Sequence, residues 1–316
     1  MEVVHTPVLL EETIFYLGPR SDGELMVDAT LGEGGHSYAF LSHFPSLRII
    51  GIDADGDIQK IAQERLKEFG DRIHFYPGWS QEFFADIPRD IKRPDTILMD
   101  LGVSRYHYEK SRRGFSFSRD EVLDMRIDPN RGISAAQLLA RLSEKELADL
   151  IYKYGEERYS RRIARAIIDA RSHSAITRSA VLAEIVERAV PSAYRRGAIH
   201  PATRTFQALR IAVNGELSQL PELLEAALGA LENGGRLGVI TFHSLEDRMV
   251  KNYFREKNKD CICPPEAPIC RCGGRRMINL LTRKAVSPGE DEVKNNPPSR
   301  SAKLRVAEKV LDEDGR

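Results

Sequence analysis

The sequence predicts a doubly wound α/β fold interrupted by a long all-helical insert. Two observations carry this. Short apolar runs alternate with helical stripes up to Asp100, and three of the runs end in an acid. Strand signal then stops for residues 105–213 and resumes with Arg236-Leu-Gly-Val-Ile-Thr241. Strands that alternate with helices pair in parallel, because each crossover helix returns the chain to the same edge.

Leu25-Met-Val-Asp28 is the first strand, followed by the glycine turn Thr30-Leu-Gly-Glu-Gly-Gly-His36. Arg48-Ile-Ile-Gly-Ile-Asp53 is the second. Ile58, Ile61, Ala62, Leu66 and Phe69 then form one stripe of a helix. Arg72-Ile-His-Phe-Tyr76 and Thr96-Ile-Leu-Met-Asp100 are the third and fourth strands. The insert predicts helices over Ala135 to Tyr154, Ser160 to Arg171, Arg178 to Ala189 and Thr203 to Val213. A helix from Glu216 to Leu231 ends at Asn233-Gly-Gly235, and another runs from Ser244 to about Lys257. Met277 to Val286 and Lys303 to Val310 suit an antiparallel edge. The expected domains are therefore residues 1–104 with 214–316, and an insert over residues 105–213.

The chain has 316 residues, 41% of them hydrophobic, and 47 basic residues balance 47 acidic ones. This excludes a histone-like polycation but not a local basic face. No run approaches the roughly 18 apolar residues of a membrane span. Residues 1–12 carry acids and no basic segment, so a secretory leader is not expected and a cytoplasmic location is. Charge is uneven: Arg188, Arg195, Arg196, His200, Arg204 and Arg210 occur in residues 188–210 without an acid, and residues 271–284 hold Arg271, Arg275, Arg276, Arg283 and Lys284. Such blocks suit a solvated face or a polyanion. Cys261, Cys263, Cys270 and Cys272 are too clustered for a secreted disulfide framework. Their Cys-x-Cys spacing is tighter than zinc usually takes, so no metal is assigned and reduced thiols stand beside a four-thiolate site.

Ligands of an open parallel sheet bind beyond the carboxyl ends of its strands. Gly32, Gly34 and Gly35 lie there. Their Gly-x-Gly-Gly spacing departs from the dinucleotide fingerprint, which disfavours a nicotinamide oxidoreductase, and no P-loop is present. Asp53 ends the second strand, where a carboxylate accepts ribose hydroxyls. Asp28, Asp53 and Asp100 converge on one cleft suited to hydroxyls, amines and a positive centre. S-adenosylmethionine has that chemistry. A non-catalytic RNA-binding module would explain the basic blocks but not these acids.

Several ordered words then make the likeness specific: His5-Thr-Pro-Val-Leu-Leu10, Gly32-Glu-Gly-Gly-His-Ser37, Asp100-Leu-Gly-Val-Ser104, Arg113-Gly-Phe-Ser-Phe117, Leu123-Asp-Met-Arg126, Tyr154-Gly-Glu-Glu157, His200 to Arg210, Phe242-His-Ser-Leu-Glu-Asp-Arg248 and Asn296-Pro-Pro-Ser-Arg-Ser301. The chain resembles the bacterial small-subunit (16S) ribosomal RNA cytosine-N4 methyltransferases, the RsmH/MraW family. The resemblance implies a Rossmann-like class I S-adenosylmethionine-dependent methyltransferase sheet with an inserted helical domain for RNA recognition. It implies methylation of a cytidine N4 amine in the decoding region, on the small ribosomal subunit. Monomer and homodimer stay open.

The resemblance also implies cofactor contacts from Gly34, Gly35, His36, Asp53 and Asp100. Trp79 stands where relatives often carry Phe, and His107 where they carry Gln. Arg105-Tyr106 replaces the commoner small residue and proline. Asp100 is the candidate for orienting the cofactor or the amine, and His243, after the fifth strand, is a second catalytic candidate as base or proton shuttle. Many amino-methyltransferases carry Asn or Asp-Pro-Pro-aromatic where this chain has Asp-Leu-Gly-Val. A target base must be unpaired and stacked. Tyr106, Tyr108, Phe115 and Phe117, interleaved with Arg105, Lys110, Arg112 and Arg113, therefore suggest a stacking lid. Phe115 and Phe117 suit an anchoring role equally. Arg113, Phe115, Phe117, Arg195, Arg196 and Arg204 are the candidate RNA contacts.

Overall fold

The computed structural model describes residues 6–88, 91–197, 199–261, 263 and 275–310. The chain forms two compact units, residues 1–102 with 219–316 and residues 103–218.

The first unit is built on seven strands: β1 (Leu25–Asp28), β2 (Arg48–Asp53), β3 (Ile73–Pro77), β4 (Thr96–Asp100), β5 (Arg236–Thr241), β6 (Ile278–Leu280) and β7 (Lys303–Lys309). Their order is β3-β2-β1-β4-β5-β7-β6. The first five are parallel, β7 runs antiparallel to β5, and β6 antiparallel to β7. Parallel strands covered by helices on both faces need continuous apolar runs. Accordingly β1 is buried at all its positions, and β4 and β5 at all but one.

Leu25, Val27, Ile52, Ile97, Val239 and Val250 pack in one core cluster, while Met26, Phe40, Ile49, Leu66, Leu98 and Ile240 pack in another. Alternate residues of one strand thus enter different clusters, as a pleated strand requires. From β1 the chain moves outward through β2 to β3, then returns to β4 on the other side of β1. This makes the β1–β4 boundary the topological switch point, where such sheets open a crevice.

The strand-like run from Met277 to Val286 is a strand over Ile278–Leu280 and pairs again only at an isolated antiparallel bridge, Val286 to Leu304. The backbone N–H groups of Leu281 and Thr282 both donate to Val306 O, a bulge that breaks the ladder.

The second unit is helical, with no strand among its described residues and one isolated bridge, Val122 to Arg178. Its core includes Leu123, Leu139, Ile151, Ile163, Ile167, Leu182, Val186, Phe206 and Leu209. The single helix expected from Ala135 to Tyr154 is two, Ala135–Arg141 and Glu144–Gly155. Ser143 is the reason. Its Oγ accepts from Glu146 N while the Glu146 carboxylate accepts from Ser143 N, and this reciprocal cap starts a new helix. The unit also extends past the expected end of the insert. Glu216 is held bidentately by Arg210, and Asn214 Oδ1 accepts from Ile127 N.

Candidate active site

The turn after β1 is tied to both neighbouring strands and to the segment that follows β3. Gly32 N donates to Asp53 Oδ2 at 2.8 Å, and Leu31 N to Ile52 O, fastening it to β2. Ser80 Oγ donates to Ala29 O, fastening it to the segment that follows β3. Asp100 N donates to Thr30 Oγ1 at 2.6 Å, fastening it to β4. Gly34 begins the Gly35–His43 helix with φ +76°, a left-handed conformation that glycine adopts without strain. A Cβ there would also stand 2.8 Å from Leu66 Cδ1. The glycine is demanded by the turn and by core packing as well as by any close ligand.

Asp53 uses both carboxylate oxygens on backbone: Oδ2 on Gly32 and Oδ1 on Asp55 N at 2.8 Å. Asp28 is buried, with Ser37 Oγ donating to its Oδ2 at 2.7 Å. Burial pushes its carboxyl above the usual range, against the lowering effects of Ser37, His36 and the Thr30 N–H. Asp28 is thus a structural acid beneath the turn rather than one exposed to ligand. His36 is 5% exposed, and its Nε2 lies 3.6 Å from Asp100 Oδ2.

The ring nitrogens of His36, Asp100 Oδ1 and Trp79 Nε1 are buried and have no hydrogen-bond partner among the described residues. Buried polar groups are normally paired, so groups without partners call for one, and a ligand is one source. This mixture of an acceptor and ring nitrogens around a glycine turn and a ribose-type acid fits S-adenosylmethionine, which brings an ammonium, hydroxyls and an adenine.

His243 has a different task. Its Nδ1 accepts from Glu246 N at 3.3 Å, and Glu246 Oε2 accepts from the N–H groups of Phe242 and His243. His243 Nε2 lies 3.2 Å from Glu246 Oε1. The ring caps the Ser244–Lys257 helix. Nδ1 is thus taken up by the cap, while Nε2, beside Glu246, is buried without a hydrogen-bond partner among the described residues, so the capping role stands beside the proton-shuttle expectation.

In the helical unit, Phe115 is 4% exposed and belongs to the core, so its ring is not available to stack on a base. His107 is buried beside it, ring centroids 5.0 Å apart. Phe117 is half-buried, stacked on His200 at 4.4 Å and edge-on to Phe206. Arg113 Nη1 donates to Ile127 O at 2.6 Å, Arg195 to Val190 O and Arg188 O, and Arg204 to Glu156 O. Arg196 is exposed.

Arg158 was not legible as a candidate. Its guanidinium lies over Tyr159 and Tyr194, 4.8 and 5.0 Å from their centroids, at a cavity of about 430 Å³ that Arg204 and His200 also line. Buried Glu157 supports this group by accepting from Tyr194 Oη at 2.6 Å. Burial and this carboxylate together raise the tyrosine's pKa. Thr30, Ser37 and Ser80 were missed as well, because isolated hydroxyls carry no sequence signal for the distant partner they hold. Cys270, Cys272 and Arg271 lie outside the described residues. Cys263 N donates to Cys261 Sγ at 3.4 Å.

A seven-stranded sheet of this order with β7 reversed, bearing a glycine turn and strand-end acids at the switch point, defines a Rossmann-like class I S-adenosylmethionine-dependent methyltransferase. The chain belongs to the MraW methylase family, which it matches over residues 2–310. It is 57% identical over 310 residues to the ribosomal RNA small subunit methyltransferase H of Treponema denticola, with 98% of each chain covered. It is 47% identical over 315 residues to the protein of that name from Carboxydothermus hydrogenoformans, covering 98% of this chain and 99% of the relative. Identity to the Syntrophobacter fumaroxidans protein of that name is 47% over 311 residues, with 96% of each chain covered.

Proposed function

We propose that this enzyme methylates the exocyclic N4 amine of a cytidine in the decoding region of small-subunit (16S) ribosomal RNA, acting in the cytoplasm on the small ribosomal subunit. The observation that carries the reading is the pair of buried, unpartnered groups, Asp100 Oδ1 and the His36 ring, at the end of β4 beside the glycine turn. The names of its relatives supply the substrate class.

S-adenosylmethionine, when bound, supplies an electrophilic methyl on a sulfonium. Asp53 holds its ribose, the Gly34-Gly35-His36 backbone lines its amino-acid end, and Trp79 flanks its adenine. The cytosine amine is a poor nucleophile because its lone pair is delocalised into the ring. Rate therefore comes chiefly from holding nitrogen and methyl in line. Asp100 Oδ1 accepts a hydrogen bond from an N–H group at the transfer site and so fixes its direction.

The helical unit holds RNA through Arg113, Phe117, Arg195, Arg196 and Arg204, with Arg158 and its tyrosines adding a cationic, aromatic hollow of the kind that takes unstacked bases. No helix among the described residues is long and apolar enough to cross a membrane.

The test is to incubate the protein with methyl-labelled S-adenosylmethionine and small subunits lacking the modification, then to map the label by nuclease digestion and mass spectrometry. Label on one cytidine N4 of the small-subunit RNA is expected. Label on another atom or another RNA overturns the reading.

A further inference from the structure

We propose that the His36 side chain is a positioning residue of the transfer site, holding the Asp100 carboxylate so that Oδ1 alone faces the ligand. This rests on the function proposed above and assigns the imidazole a task beyond the backbone contact at this position.

Four observations lead to it. The imidazole is buried, and neither ring nitrogen has a hydrogen-bond partner among the described residues. It therefore contributes no visible hydrogen bond to the fold, unlike Ser37 beside it, whose hydroxyl ties the helix start to Asp28. Of the two acids near the ring, Asp100 is the one an ion-pair contact reaches, with Nε2 3.6 Å from Oδ2. The main chain of Asp100 is pinned by its own N–H on Thr30 Oγ1, so only rotation of the carboxylate is left to be fixed. Oδ1, the other oxygen, is buried and without a hydrogen-bond partner among the described residues.

A contact of 3.6 Å is longer than a hydrogen bond. A small rotation of either side chain, driven when a ligand N–H docks on Oδ1, brings Nε2–H onto Oδ2. Catalytic hydrogen bonds are commonly long before the ligand arrives and tighten in the complex. A proton on Nε2 meets this need, because that nitrogen must donate to a carboxylate. Asp28, the other acid near the ring, is already engaged by Ser37 Oγ and Thr30 N and stays out of the contact.

Four variants, one of them the Asp100→Asn single, and one wild-type measurement test this. His36→Gln keeps an N–H donor at nearly the Nε2 position, whereas His36→Phe keeps the ring's bulk and removes the donor. The expected result is a 10- to 100-fold fall in kcat for the Phe variant, a smaller change in the KM for S-adenosylmethionine, and recovery of most of kcat in the Gln variant. In a His36→Phe, Asp100→Asn double variant the two losses should not multiply, because both act through one contact. If His36 only fills space, Phe is tolerated better than Gln, and that order overturns the proposal.

Nitrogen-15 NMR of the wild-type imidazole needs no variant. Saturation with S-adenosylmethionine should slow exchange of the Nε2 proton and shift its resonance. An unchanged His36 ring in a protein shown by calorimetry to be saturated overturns the proposal. Absence of any binding heat would instead sink the proposed function, so the two failures are distinguishable.

Discussion

Asp53 Oδ2 accepts the Gly32 backbone N–H at 2.8 Å, so the carboxylate ending β2 closes the glycine turn that follows β1. The acid proposed for the cofactor's ribose therefore also builds the turn proposed for the rest of the cofactor. Hydrogen bonds to a charged group contribute about 1.5–3 kcal/mol each. Asp53→Asn keeps one acceptor and should weaken S-adenosylmethionine binding about tenfold. Asp53→Ala loses both backbone bonds, and calorimetry should show a loss of about 100-fold or more together with a lower Tm.

Gly34→Ala carries two penalties, a left-handed φ and a Cβ 2.8 Å from Leu66 Cδ1. Gly23 has nearly the same φ, +74°, with open space around it. Gly23→Ala should cost about 1–2 kcal/mol, the backbone penalty alone. Gly34→Ala should cost more, and Leu66→Val should relieve part of the excess. Denaturant titration of the three variants checks this order.

Asp28 gives stability a pH dependence of defined sign. Its folded-state carboxyl titrates above its unfolded value because it is buried. The folded state therefore holds the proton more tightly than the unfolded one. That contribution is fully present below the unfolded pKa and is lost as pH rises through the raised folded value. Asp28→Asn keeps an acceptor for Ser37 and removes the titration. The Tm of the variant minus that of the wild type should thus increase from pH 4 to pH 8. A flat or falling difference contradicts the assignment.

Phe115 and Phe117 should separate in experiment. Phe115 sits in the helical core, and its replacement by Ala should cost about 3–5 kcal/mol, seen as a lower midpoint in denaturant. Phe117 is half-buried against His200. Phe117→Ala should lower RNA affinity with a smaller loss of stability, read by comparing filter binding with denaturation.

Arg196 is exposed, whereas Arg204 also ties its unit together through Glu156 O. Arg196→Glu should weaken RNA binding at low salt and lower the slope of log affinity against log salt by about 1, leaving S-adenosylmethionine binding and Tm unchanged. Arg204→Glu should lower both RNA affinity and Tm.

The amino-acid sequence by itself determined the parallel sheet, the helical interruption and the three strand-end acids. Those features are written in short-range periodicity: continuous apolar runs for doubly covered strands, 3.6-residue stripes for helices, glycine where φ must be positive. It also carried the likeness on which the substrate rests. Packing decided what each side chain is used for. Phe115 and Phe117 are two residues apart in one motif, yet one is core and the other partly exposed. His243 and His36 both follow strands, yet one caps a helix through Glu246 and the other faces Asp100 without a hydrogen bond. Such roles depend on partners tens of residues away, and only the assembled sheet brings Thr30 to Asp100 and Gly32 to Asp53. A side chain's identity fixes the bonds it is able to make, and the tertiary fold fixes which of them are left for a ligand.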